Sequence, residues 1–202
     1  QSILAALVRS EPDAASVEPV PVRLPWTWHI RWLAPLAAAS SRFALLSTSV
    51  PMTVRMVTGG GIGGFGAQHS QSTEAMLLHN PGLKIVYPST PTEAKGLLLS
   101  CIFDEDPCIQ FESMMLTYSL KEEVPVGDYR IPLGVAKVKR EGTDISLITY
   151  GWQVMQCLKA AEELAKEGIN AEVLDLRTLL PLDYDRIFAS VEKTGRALVV
   201  HA

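Results

Sequence analysis

Short apolar runs with strand character alternate along this chain with stretches whose apolar positions recur every three to four residues. Thr53-Val54-Arg55-Met56-Val57 is a β-branched and apolar run that reads as a strand. After a glycine-rich stretch, a helix is predicted near 73–79, closed by Pro81-Gly82, and a strand follows at 84–87. Thr90-Pro91-Thr92-Glu93 then has the form of a capping box, with proline at the first helical position. The helix it opens carries Ala94, Leu97, Leu98 and Cys101 on one face and ends at Asp104-Glu105-Asp106-Pro107, ahead of a strand at 108–112. Residues 116–133 have no period, contain Pro125, Gly127 and Pro132, and read as a link. Beyond the link come strands at 135–139 and 144–150 and a helix over 152–167 with Val154, Met155, Leu158, Ala161 and Ala165 inward and Gly168 as its stop. A strand at 171–176, a helix at 183–194 with Gly195 beyond it, and a strand at 196–200 complete the pattern. Parallel strands joined by helices predict an α/β fold with a parallel sheet flanked by helices.

The densest punctuation is Gly59 to Ser72, GGGIGGFGAQHSQS. Glycines let backbone turn tightly and approach a ligand, and a histidine on the far lip can exchange protons near neutral pH. Gly61, Gly63 and Gly66 also fit the dinucleotide fingerprint, which would make the chain a nicotinamide-binding oxidoreductase. That reading needs a helix opening inside the motif and an acid at the end of the next strand. Here the helix is predicted only after Ser72, and the strand runs into Pro88-Ser89-Thr90.

Composition changes the picture near residue 50. Residues 1–50 hold four arginines, no lysine and no glycine, with prolines at 12, 19, 21, 25 and 35, and Trp26, Trp28 and Trp32 crowd together. The segment is predicted to be irregular. A targeting presequence, a disordered extension and the product of a shifted reading frame are the three readings open for it. A net charge of -4 argues against a nucleic-acid or anionic-membrane surface. No stretch is long and apolar enough to span a bilayer. Cys101, Cys108 and Cys157 make no CxxC, which favours unpaired thiols in a reducing compartment.

From Pro51 onward the text GAQHSQSTEAM, then NPGLKIVYPSTPTEAKGLLLSCIFDEDPCIQFE, then DYRIPLGVAKVKREGTDISLITYG, then EVLDLRTLLPLDYDRIFASVEKTGRALVV follows the order of one family. It resembles the beta subunit of the thiamine-diphosphate-dependent decarboxylating component of 2-oxo acid dehydrogenase complexes, of pyruvate or branched-chain type. The resemblance implies a transketolase-like pyrimidine-binding domain, present here as its second half over 51–126, and the first half of a transketolase C-terminal-type domain over 134–202. The family's own first half is expected where residues 1–50 stand, which favours the reading-frame explanation for that segment.

The resemblance also implies a chemistry. The reaction is oxidative decarboxylation with acyl transfer to lipoyl groups, carried out with an alpha subunit, a second beta subunit and a lipoyl-bearing acyltransferase component. Thiamine diphosphate is shared with the alpha subunit, which holds its magnesium. His69 takes the catalytic position, with Ser70 and Gln71 orienting it, as proton donor to the lipoyl dithiolane. A structural potassium ion is implied at Val50, Met52, Thr53, Cys101, Asp104 and Asp106, an all-oxygen shell suited to a hard cation. The glutamate that bonds the N1′ nitrogen of the aminopyrimidine belongs to the missing half. A fragment acting only in subunit contacts is the alternative. The compartment would be the cytoplasm in a bacterium or the mitochondrial matrix in a eukaryote. Glu112 and Asp175 end parallel strands, where ligands bind in such folds, but the sequence pairs neither with a partner.

Overall fold

The computed structural model describes residues 7–9, 51–59 and 66–201, with 7–9, Gln68 and His69 described as backbone alone. In chain order the elements are β1 (Leu7–Arg9), β2 (Thr53–Thr58), α1 (Gly66–His69), α2 (Glu74–Leu78), β3 (Lys84–Val86), α3 (Pro91–Ile102), β4 (Cys108–Ser113) and α4 (Met114–Ser119). They continue with β5 (Lys137–Arg140), β6 (Ile145–Thr149), α5 (Trp152–Lys166), β7 (Ala171–Asp175), β8 (Thr178–Leu180), α6 (Tyr184–Thr194) and β9 (Arg196–Val199). The α/β expectation holds, as two mixed sheets.

One sheet has the order β2-β4-β3-β8. Its first three strands are parallel, with Thr53 to Thr58 in register with Cys108 to Ser113. The fourth, β8, comes from the second half of the chain and runs antiparallel to β3. The other sheet has the order β1-β9-β6-β7-β5. There β6, β7 and β9 are parallel, while β5 and β1 run antiparallel on the two edges. Leu7–Arg9 thus form a strand within a segment expected to be irregular, supplying partners to the β9 edge. The expectations for residues 11–50 lie outside the described residues.

One apolar core joins the two sheets. Ile85, Tyr87, Ile109, Phe111 and Leu179 from the first pack with Ile148 and Leu174 from the second and with Leu176 just beyond β7. The helices cover the flanks. On α5 the buried stripe is Val154, Cys157 and Ala161, with Leu158 and Leu164 packed beside it, so Ala165 faces solvent instead of the core. On α3 the buried face is Glu93, Gly96, Leu97 and Cys101. Gly96 is needed there because a Cβ would stand 2.7 Å from Ile131 and 2.9 Å from Tyr129. Those two residues belong to the link, which is irregular over 120–136 but tied to α3. Tyr129 Oη donates to Thr92 O at 2.8 Å, Ile131 N to Gly96 O at 3.2 Å, and Ser100 Oγ to Ile131 O at 2.6 Å.

Strand β8 was not predicted, and two helices also correct the sequence reading. Helix α4 occupies the start of the expected link; it has six residues, too few to display a period. Helix α1 begins at Gly66, inside the glycine motif, where the sequence placed no helix before Ser72.

Candidate functional site

Because β2, β4 and β3 are parallel, their carboxyl ends gather at one edge of the sheet, where open α/β folds bind ligands. Thr58 ends β2 opposite Ser113 at the end of β4, and Tyr87 follows β3. Gly59 turns the chain out of β2 with φ +77°, a conformation that L side chains rarely adopt. The chain returns through α1, which ends on His69, and through Ser70 and Gln71 into α2. Both ends of this excursion are tied together. Gln71 O accepts from Gly59 N at 3.1 Å, and the Thr58 hydroxyl is shared between Gln71 O at 3.2 Å and Glu74 Oε1 at 3.1 Å. His69 therefore stands two residues before a backbone clasp on the strand end.

Glu74 is a buried carboxylate in this cluster. Burial, reinforced by the Glu74 charge, raises the Tyr87 phenol well above the usual tyrosine range, and the Ser113 and Thr58 hydroxyls oppose the shift. Burial and Glu74 likewise push Tyr150 up to about 12. Tyr87 and Tyr150 pack at 5.3 Å between ring centroids, and both raised phenols are protonated at physiological pH. The tight turn at Gly151, φ +59°, abuts the Tyr87 ring. None of Thr58, Glu74 and Tyr87 was singled out from the sequence. The signals present were Thr58 just after the predicted strand 53–57, Glu74 in the first turn of the predicted helix 73–79, and Tyr87 at the end of the predicted strand 84–87.

The residues expected to form a potassium shell are brought together in part. Val50 lies outside the described residues. Met52 O accepts from Cys108 N at 2.8 Å, Thr53 is in register with Cys108, and Cys101 O, near the end of α3, accepts from Asp104 N at 3.2 Å. The positive charge among the carboxylates is Lys84. Its ammonium donates to Asp104 Oδ1 and Oδ2 at 2.7 and 2.8 Å and lies 3.1 Å from Asp106 Oδ2. Partial burial would raise the Asp104 carboxyl, but the Lys84 bonds outweigh it and hold Asp104 below its usual range. The side-chain carboxylates of the expected shell are thus engaged by an ammonium. Among the described residues no group of three or more His, Cys, Asp or Glu could hold a metal.

The two strand-end acids acquire partners. Glu112 receives a bidentate pair from Arg55 across the β2–β4 ladder at 2.6 and 2.9 Å. Asp175 is fully buried and meets Ser89, Lys139 and the Arg177 backbone.

Two family models match this arrangement: the transketolase pyrimidine-binding domain over residues 36–118 and the transketolase C-terminal domain over residues 134–202. Over 150 residues the chain is 56% identical to the pyruvate dehydrogenase E1 component subunit beta of Bacillus subtilis (strain 168), covering 74% of this chain and 46% of that protein. It is 51% identical over 163 residues to the same subunit of Staphylococcus aureus (strain Mu50 / ATCC 700699), covering 80% of this chain and 50% of that one. The chain belongs to the family of 2-oxo acid dehydrogenase beta subunits. It spans about half the length of the curated relatives it matches. Among solved structures it resembles a split-gene transketolase described as an inactive beta4 tetramer, with TM-score 0.61 and 25% identity, covering 79% of this chain and 52% of that one.

The beta-subunit family is associated with thiamine diphosphate. The described residues fit one wall of a site for it: a glycine turn and a histidine-bearing helix at the carboxyl ends of parallel strands. No described helix is long and apolar enough to cross a membrane.

Proposed function

We propose that this chain acts as part of the beta subunit of a pyruvate-type 2-oxo acid dehydrogenase, in oxidative decarboxylation with acyl transfer to a lipoyl group. The observation that carries this reading is the 56% identity to a pyruvate dehydrogenase subunit beta, combined with the seating of the HSQS stretch at the carboxyl end of β2. The curated relatives cited above bear the pyruvate name, which favours that substrate over a branched-chain one.

In this reading an alpha subunit completes the site and holds the magnesium and diphosphate, and a second beta subunit and a lipoyl-bearing acyltransferase are the other partners. Bound thiamine diphosphate would supply the stabilisation of the carbanion left by decarboxylation. The excursion from Gly59 through α1 would line the aminopyrimidine end. His69 would donate a proton to the dithiolane sulfur as the acyl group reaches it, a task suited to an imidazole at neutral pH. The Gly59 and Thr58 bonds to Gln71 would fix the lip that bears it.

The test is His69→Ala in a beta subunit assembled with its alpha partner. Acyl transfer to a lipoyl domain should fall by about a hundredfold or more, the scale of a lost general acid, while decarboxylation followed with an artificial electron acceptor falls far less. Equal loss in both assays would make His69 a structural residue.

A further inference from the structure

Between the two sheets lies a closed polar cluster built from Ser89, Glu93, Lys139, Asp175 and Arg177. Ser89 and Asp175 have no solvent exposure, and Glu93 is 2% exposed. The Ser89 hydroxyl is 2.9 Å from Glu93 Oε2 and 2.5 Å from Asp175 Oδ2. A hydroxyl has one hydrogen to donate and otherwise accepts, and an ionised carboxylate only accepts. Ser89 can therefore donate to one of these carboxylates, and the other contact places two oxygens in hydrogen-bonding range with no hydrogen between them unless that carboxyl carries it.

The surrounding charges decide which carboxyl that is. Glu93 Oε1 accepts from Lys139 Nζ at 2.8 Å and lies 3.9 Å from both Arg177 Nη1 and Lys137 Nζ. Asp175 Oδ1 accepts the Arg177 backbone N–H at 3.1 Å, and Oδ2 is 3.5 Å from Lys139 Nζ. The Arg177 guanidinium is turned away, donating to Val135 O at 3.0 and 2.6 Å. Thr149, opposite Asp175 on β6, adds no charge, and Glu122 acts on Lys139 from the link. Glu93 thus has the nearer ammonium and the additional cations, while Asp175 has one more distant ammonium.

We propose that Asp175 carries a proton that it donates to Ser89, that Ser89 donates in turn to an ionised Glu93, and that this single proton forms a pH-sensitive clasp between β7 and α3. The relay runs Asp175 Oδ2–H to Ser89 Oγ–H to Glu93 Oε2, crossing from the second sheet to the helix that covers the first. Burial, with the Glu93 charge, pushes Asp175 up to about 6, whereas Lys139 overcomes the burial of Glu93 and holds it below its usual range. A raised folded-state value means that this contribution to stability is complete below the ordinary aspartate range and is lost as pH rises through about 6. Once Asp175 ionises, Ser89 can satisfy only one of its two neighbours.

The experiment is a carboxyl carbon-13 titration of the full chain, with Asp175 and Glu93 assigned through their own backbones. Asp175 should titrate with a midpoint near 6 while Glu93 stays ionised through the same range. In parallel, the urea midpoint of the wild type should decline from pH 5 to 7.5, and Asp175→Asn, whose amide can donate permanently to Ser89, should lose that decline. The carbon-13 measurement does not depend on the variant folding. An Asp175 resonance that stays ionised down to about pH 4, the ordinary value, would overturn the proposal. So would a proton found on Glu93 instead, or an Asp175→Asn variant that keeps the wild-type pH dependence.

Discussion

Lys84 Nζ donates to both carboxylate oxygens of Asp104, at 2.7 and 2.8 Å, from the first residue of β3 to the loop beyond α3. The same ammonium holds Asp106, and Lys84 N donates to Pro107 O at 2.9 Å, so one residue closes the turn between α3 and β4. Lys84→Met should destabilise the fold by about 1–3 kcal/mol, the cost of leaving partly buried charges without a partner. Asp104 is held low, so its contribution is present above the ordinary aspartate range and is lost as pH falls through its lowered folded-state value. Urea unfolding below pH 5 should show that acid-side loss in the wild type and a weaker one in Lys84→Met.

Thr58→Val tests the clasp at the candidate site. The substitution keeps the shape and removes the donor shared by Glu74 and the Gln71 carbonyl. A buried carboxylate left without this partner should cost about 1–3 kcal/mol by chemical denaturation. Amide exchange at Gly59, whose N–H bonds to Gln71 O, should quicken more than exchange within β4.

Gly142→Ala should be among the most damaging small substitutions in the second sheet. An added Cβ would stand 2.2 Å from the backbone carbon of Ala171 and from the nitrogen of Glu172, where no side chain can yield. Displacing the start of β7 should cost about 1–3 kcal/mol, visible as a lower melting temperature. By contrast Gly82→Ala meets nothing within 4 Å and should suffer only the strain of its φ of +88°.

Thr90→Ala should cost about 1 kcal/mol, because the Thr90 hydroxyl accepts from Glu93 N at 3.2 Å as the cap of α3. The reciprocal half of the expected capping box is not made. The Glu93 side chain points instead at Ser89 and Lys139, so Glu93→Gln should disturb the contact between the sheets more than the start of the helix.

The sequence determined the order and kind of most elements, because apolar period and turn residues act locally. Thr90 caps α3 and Gly195, at φ +67°, ends α6, where the sequence placed them. It also placed His69 at the end of the glycine excursion. What it could not determine was pairing. Strand β8 is three residues long and leaves its own half of the chain for the edge of β3, a choice fixed by packing against Ile85. Helices α1 and α4 are too short to register as a period. The inner face of α5 turned toward Cys157 and Leu164 because the sheet beneath it, and not the helix, decides which stripe is covered. The polar partners were hidden for the same reason. Lys84 with Asp104, Arg55 with Glu112, and Ser89 with Asp175 lie 20, 57 and 86 residues apart along the chain. Each is brought within hydrogen-bonding distance by the stacking of strands and helices, and a buried charge takes whatever partner that stacking delivers.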